Sequence, residues 1–186
     1  MKKPQAAVRH EHLLRMLYAA LCLALCMVLP MITGGIPQIG KYLCPMHLPV
    51  LLCGVLCGWP YGVLVGVSAP LLRSLLFGMP VLFPGAVGMS VELLGYGLVA
   101  ALLLSLLPDR AWSLYPALIG AMLAGRLLGG VMKVLFLTFG AIKSYGMSVY
   151  LTSYFVETLP GVVLQLLLIP PIYLALRHAG LVPPRR

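Results

Sequence analysis

The stretch that decides the fold is PMHLPVLLCGVLCGWPYGVLVGVSAPLLRSLLF, residues 45–77. It is apolar almost throughout and too long for one crossing of a bilayer, which takes about 20 residues. Its middle reads Gly58-Trp59-Pro60-Tyr61-Gly62. Proline removes a backbone donor and the flanking glycines loosen the chain, so a helix breaks there. The stretch therefore divides into two short spans, about 46–58 and 60–77.

The same rule, applied outward, gives four more spans: Leu13–Thr33, Ala86–Leu107, Trp112–Phe139 and Met147–Leu176. Gly/Pro-rich connectors follow the first and third, at 34–41 and 78–85. Pro108-Asp109-Arg110 closes the fourth, and 140–146 separates the fifth from the sixth. The expected fold is an all-α membrane protein with six transmembrane helices in a compact bundle. Its parts are an N-terminal segment (1–12), a transmembrane substrate-binding domain (13–177) and a basic tail (178–186). The Leu13–Thr33 run is too long for the apolar part of a typical signal peptide and has no small-residue cleavage site, so it is read as a retained span.

Composition agrees with a bilayer as solvent. Of 186 residues 61% are hydrophobic and 9% charged, against about 25% charged in soluble domains. Mean hydropathy is +1.03. The 13 Lys+Arg against 4 Asp+Glu would suggest nucleic acid in a soluble chain. Here Lys2, Lys3, Arg9 and Arg15 precede the first apolar run, and Arg177, Arg185 and Arg186 follow the last. That is the positive-inside bias. Six spans put both basic termini on one side, the cytoplasmic one, together with the Asp109-Arg110 turn. Five spans would put them on opposite faces.

Ionisable residues inside spans are costly and usually functional. Glu92, Arg126, Lys133 and Glu157 all fall in the middle or outer half of their spans. At about 1.5 Å per residue, Glu157 is expected roughly 15 Å down the sixth. Gly88, Glu92 and Tyr96 share a helix face, as do Arg126, Gly129, Gly130 and Lys133, and Glu157 and Gln165 fall on one stripe. Two readings follow: structural ion pairs that lock the bundle, or a polar pocket open to the outside. Arg73 is close enough to a span end to snorkel. His47 opens the second span at the interface. The cysteines, among them the i, i+4 pairs Cys22/Cys26 and Cys53/Cys57, read as small packing residues rather than metal ligands. No cofactor or metal site is expected. The glycines at 54, 58, 62 and 66 read as packing positions, and Ala20/Ala24 as a small-residue face for packing or for a partner.

The ordered set of motifs resembles the S components of energy-coupling factor (ECF) transporters. It comprises Ala20-x-x-x-Ala24, Cys44-Pro45-Met46-His47-Leu48-Pro49-Val50, Glu92-Leu93-Leu94-Gly95-Tyr96-Gly97 and Leu159-Pro160-Gly161-Val162-Val163-Leu164-Gln165, and the resemblance covers about 12–177. It implies a six-helix bundle in a prokaryotic cell membrane that binds a small vitamin-like molecule near its outer face. It also implies an alanine face, Ala20 and Ala24, docked on a transmembrane coupling subunit that carries two cytoplasmic ATPases. The 34–41 connector becomes a lid, and the whole subunit topples during transport. Candidate substrate-binding residues are then Glu92, Tyr96, Arg126, Lys133, Glu157, Gln165, His47 and Gln38. Two carboxylates and two cations suit a polar heterocycle, foremost a deazaguanine-type queuosine precursor.

Three alternatives stand beside this, one of them a purely structural assembly subunit that would bind no small molecule. A stand-alone secondary transporter would need a coupling-ion site and often internal repeats, and 12–77 does not repeat in 86–177. A membrane enzyme could use Glu92 and Glu157 as acid and base, but Ser90, Ser148 and Ser153 have no evident histidine partner. ATP hydrolysis, a catalytic site and nucleic-acid binding are not expected of this chain.

Overall fold

The chain reverses at Gly58, whose φ of 88° favours glycine. Helix α2 (His47–Cys57) ends there and α3 (Trp59–Phe77) begins. Gly58 N–H donates back to Gly54 O at 3.1 Å and Gly62 N–H to Gly58 O at 3.0 Å. Pro60 falls in the first turn of α3, where its missing N–H has no intrahelical partner to lose. The computed structural model describes residues 5–33, 42–140, 152 and 156–182, with side chains from Arg9 onward. The other long helices are α1 (Gln5–Thr33), α4 (Val87–Leu106), α5 (Leu114–Thr138) and α6 (Leu159–His178). Among the described residues there is no strand.

Most boundaries follow local chemistry. Gly78 ends α3 in the left-handed conformation at φ 70°, donating to Ser74 O. Leu107 turns extended before Pro108, as residues preceding proline do. Ser113 Oγ then donates to Pro108 O at 2.6 Å as α5 is entered.

The last described helix, α6, starts at Leu159; the expected start of the sixth span at Met147 lies outside the described residues. Pro160 is its second residue, the position proline tolerates, whereas in a helix running from 147 it would break the ladder. Ahead of it, Glu157 N–H donates to Thr152 O at 2.9 Å. Glu157 therefore sits in the turn that leads into α6.

Among the described residues, five helical segments are long and apolar enough to cross a membrane. Helix α2 is the exception. Its 11 residues reach only about 16 Å, and all but Leu48 are buried. It packs against α1, α3, α4 and α6, while α4 runs between α3 and α5. A Cβ on Gly54 would lie 2.6 Å from Gly97 O, and one on Gly62 2.9 Å from Gly54 Cα. Close backbone approach of α2, α3 and α4 therefore depends on these glycines.

The outside of the bundle is apolar. Leu17, Leu21, Val28 and Ile32 on α1, Leu75 and Leu76 on α3, and Leu127 and Val134 on α5 are exposed. With lipid as the neighbour, this surface carries no desolvation penalty.

The first half of α1 meets the residues just past α6. Tyr18 OH donates to Leu181 O at 2.9 Å. Arg177 clasps Asp109 with two bonds of 2.9 and 3.0 Å, which brings the α4–α5 connector to the same end. Arg15 Nη1 reaches Cys57 O at 3.2 Å there.

Candidate substrate site

At the opposite end, where α2, α4 and α6 begin, polar side chains meet inside the bundle. His47 is 7% exposed, Glu92 8%, Arg126 8% and Gln165 3%. Isolated charges at this depth would be expensive, and a connected network makes them tolerable. His47 Nε2 is 3.3 Å from Glu92 Oε1. Tyr96, one turn along α4, donates its hydroxyl to the same oxygen at 3.2 Å. Arg126 Nε donates to that hydroxyl at 3.2 Å, and its Nη2 to Thr158 Oγ1 at 2.7 Å. The His47 and Tyr96 rings meet edge to face with centroids 5.0 Å apart.

The backbone makes room for this chain of bonds. A Cβ on Gly125 would lie 2.7 Å from Tyr96 Cδ1 and 2.8 Å from Glu92 O. Glycine there lets α5 press onto α4, so that the next residue, Arg126, reaches Tyr96. Gly161 does the same for the entry to α2: a Cβ would meet Tyr42 O at 2.7 Å and Leu43 O at 2.8 Å.

Of the residues singled out from sequence, the structure joins His47, Glu92, Tyr96 and Arg126 directly. Gln165 is buried on α6. Lys133 is half-buried two turns beyond Arg126, and Glu157 half-buried beside Thr158. Gln38 lies outside the described residues. Ala20 and Ala24 are exposed on α1. Arg73 does not end free at the surface: Nη1 donates to Met27 O at 3.0 Å, and the guanidinium lies over the Phe77 ring.

Thr158 was missed. A threonine before Leu-Pro-Gly is a helix-start signal, which the longer sixth span hid. Cys44 was also missed as a neighbour of the site; it takes a left-handed φ of 45° at the turn into α2, and its carbonyl accepts from His47 N–H at 3.0 Å.

Chemically, the arrangement offers one carboxylate, one guanidinium, an imidazole and hydroxyls inside an apolar bundle. Such a set can recognise a polar molecule by hydrogen bonds. Among the described residues no group of three or more His, Cys, Asp or Glu is placed to hold a metal ion. All five cysteines are free thiols. A cavity of about 470 Å³ opens elsewhere, at the chain-terminus end between His12, Arg15, Trp59, Tyr61 and Ser105. It is not where the buried polar groups converge.

No curated protein and no solved structure matches the chain. The family model described as ECF transporter, substrate-specific component, matches residues 14–173. That match runs from the first span into the last helix, over most of the described bundle, and the chain belongs to the family of ECF transporter substrate-specific components.

Proposed function

We propose that this chain is the capture subunit of an ECF-type ABC importer for a small water-soluble vitamin or vitamin-like heterocycle, foremost a deazaguanine-type queuosine precursor. The observation that carries this reading is the hydrogen-bonded chain of buried His47, Glu92, Tyr96 and Arg126 with half-buried Thr158, which draws on α2, α4, α5 and the entry to α6. It combines a carboxylate acceptor for N–H groups with a guanidinium donor for carbonyl or acidic groups. Lys133, Glu157, Gln165 and Gln38 complete the proposed pocket. The site end faces outward, and both chain termini face the cytoplasm of a prokaryotic cell.

Ala20 and Ala24, exposed on α1, form the docking face for a transmembrane coupling subunit. Two ATPases bound to that subunit hydrolyse ATP. The chain itself carries out no chemistry.

The test is a thermal-shift screen of the detergent-purified chain against vitamins, nucleobases and deazaguanines. A ligand that binds only the folded state raises the unfolding temperature. A large shift with one compound identifies the substrate. Glu92→Gln should then weaken that shift while the ligand-free protein stays folded. No shift across the panel would refute capture of this compound class.

A further inference from the structure

One polar atom of the buried network is left over. His47 Nδ1 is buried and has no hydrogen-bond partner among the described residues. Buried polar atoms are nearly always paired, so an exception calls for a cause.

The direction of each hydrogen bond fixes what this atom is. Arg126 Nε can only donate, so the Tyr96 oxygen accepts from it. The single Tyr96 hydrogen goes to Glu92 Oε1. A carboxylate oxygen only accepts, so the imidazole nitrogen facing it, Nε2, carries hydrogen and donates. With the one hydrogen of the neutral imidazole on Nε2, Nδ1 is a bare lone pair and an acceptor. Both bonds received by Glu92 also fall on Oε1, which leaves Oε2 as a second acceptor beside it.

We infer that His47 Nδ1 is a specificity-determining acceptor that takes a hydrogen bond from an N–H group of the captured molecule. The substrate class is a neutral heterocycle with an N–H-bearing edge, as in a 2-aminopyrimidinone ring, and that edge lies at the His47–Glu92 end of the pocket. A molecule presenting a carboxylate there would set acceptor against acceptor and be rejected. This rests on the capture function proposed above.

Two substitutions separate the two nitrogens of the ring. In His47→Gln the amide reaches the Nε2 position and keeps a donor for Glu92, but nothing replaces Nδ1. In His47→Asn the shorter amide places its oxygen at the Nδ1 position and gives up the Glu92 contact. Binding of 7-deazaguanine and the rest of the panel is measured by thermal shift and titration calorimetry on the full chain in detergent. His47→Gln is expected to lose about 10- to 100-fold in affinity, the effect of one buried hydrogen bond with a stranded partner. His47→Asn is expected to stay within about tenfold of wild type.

The opposite order, or wild-type affinity in His47→Gln, would overturn the inference and leave the capture function standing. A wild-type chain that binds nothing in the panel would overturn both. A ligand-free readout stands apart from these: in ¹⁵N-histidine spectra, the signal lost in His47→Gln should show a non-protonated Nδ1. A protonated Nδ1 overturns the assignment whatever binds.

Discussion

Arg126 Nη2 donates to the Thr158 hydroxyl at 2.7 Å, tying the middle of α5 to the residue that precedes α6. Its Nε is at the same time spent on Tyr96. Two donors of one rigid fork thus tie both α4 and the entry to α6 to α5, which a single-point ammonium cannot do. Arg126→Lys keeps the charge and is still expected to lower the unfolding temperature of the ligand-free chain and to weaken ligand binding at least about tenfold. Wild-type behaviour in both assays would mean that charge alone matters here.

Tyr96→Phe keeps the ring and removes the oxygen shared by Arg126 and Glu92. No cavity opens, since the ring still fills its place, so the change isolates the hydroxyl. A buried donor is stranded, at an expected loss of about 1–3 kcal/mol of stability. Reversible unfolding in detergent measures it, and a neutral result would remove Tyr96 as the bridge.

Gly54→Ala places a methyl 2.6 Å from the Gly97 carbonyl oxygen, which is backbone and cannot rotate away. About 1–3 kcal/mol of destabilisation is expected from this overpacking. Gly85→Ala is the control: its methyl meets only Pro80 Cβ at an ordinary 3.5 Å. Equal unfolding temperatures for the two variants would show that α2, α3 and α4 are not held at glycine distance.

Much of this architecture was legible in the sequence because it rests on local chemistry. Gly58-Trp59-Pro60 marked the reversal between α2 and α3, Pro108 closed α4, and the four-residue spacing of Glu92 and Tyr96 placed them on one face. The start of α6 was not legible from the apolar run alone, because Val149, Leu151, Phe155 and Val156 extend that run back past Thr158; Pro160 was the better guide. The Arg126–Thr158 bond could not be read at all, since it depends on how α5 packs beside the entry to α6. The burial of α2 was hidden for a similar reason: an apolar helix facing lipid and one facing protein have the same composition.

Ala20→Leu tests the proposed docking face. Both alanines are exposed in the isolated chain, so a larger apolar side chain there meets no neighbour within the bundle. Stability and ligand affinity should remain within about 0.5 kcal/mol of wild type. Co-purification with the coupling subunit and uptake into cells should both be lost. Retained uptake would place the contact elsewhere.

The half-length α2 also bears on how the protein is made. With 11 residues, it is too short to be accepted by the insertion machinery as a span in its own right, which requires about 20. Helices α2 and α3 must therefore enter the bilayer as one hairpin, committed only once Phe77 has been synthesised. A nascent chain stopped just after Gly58 should leave α2 outside the hydrocarbon and open to protease, and one stopped after Gly78 should protect it.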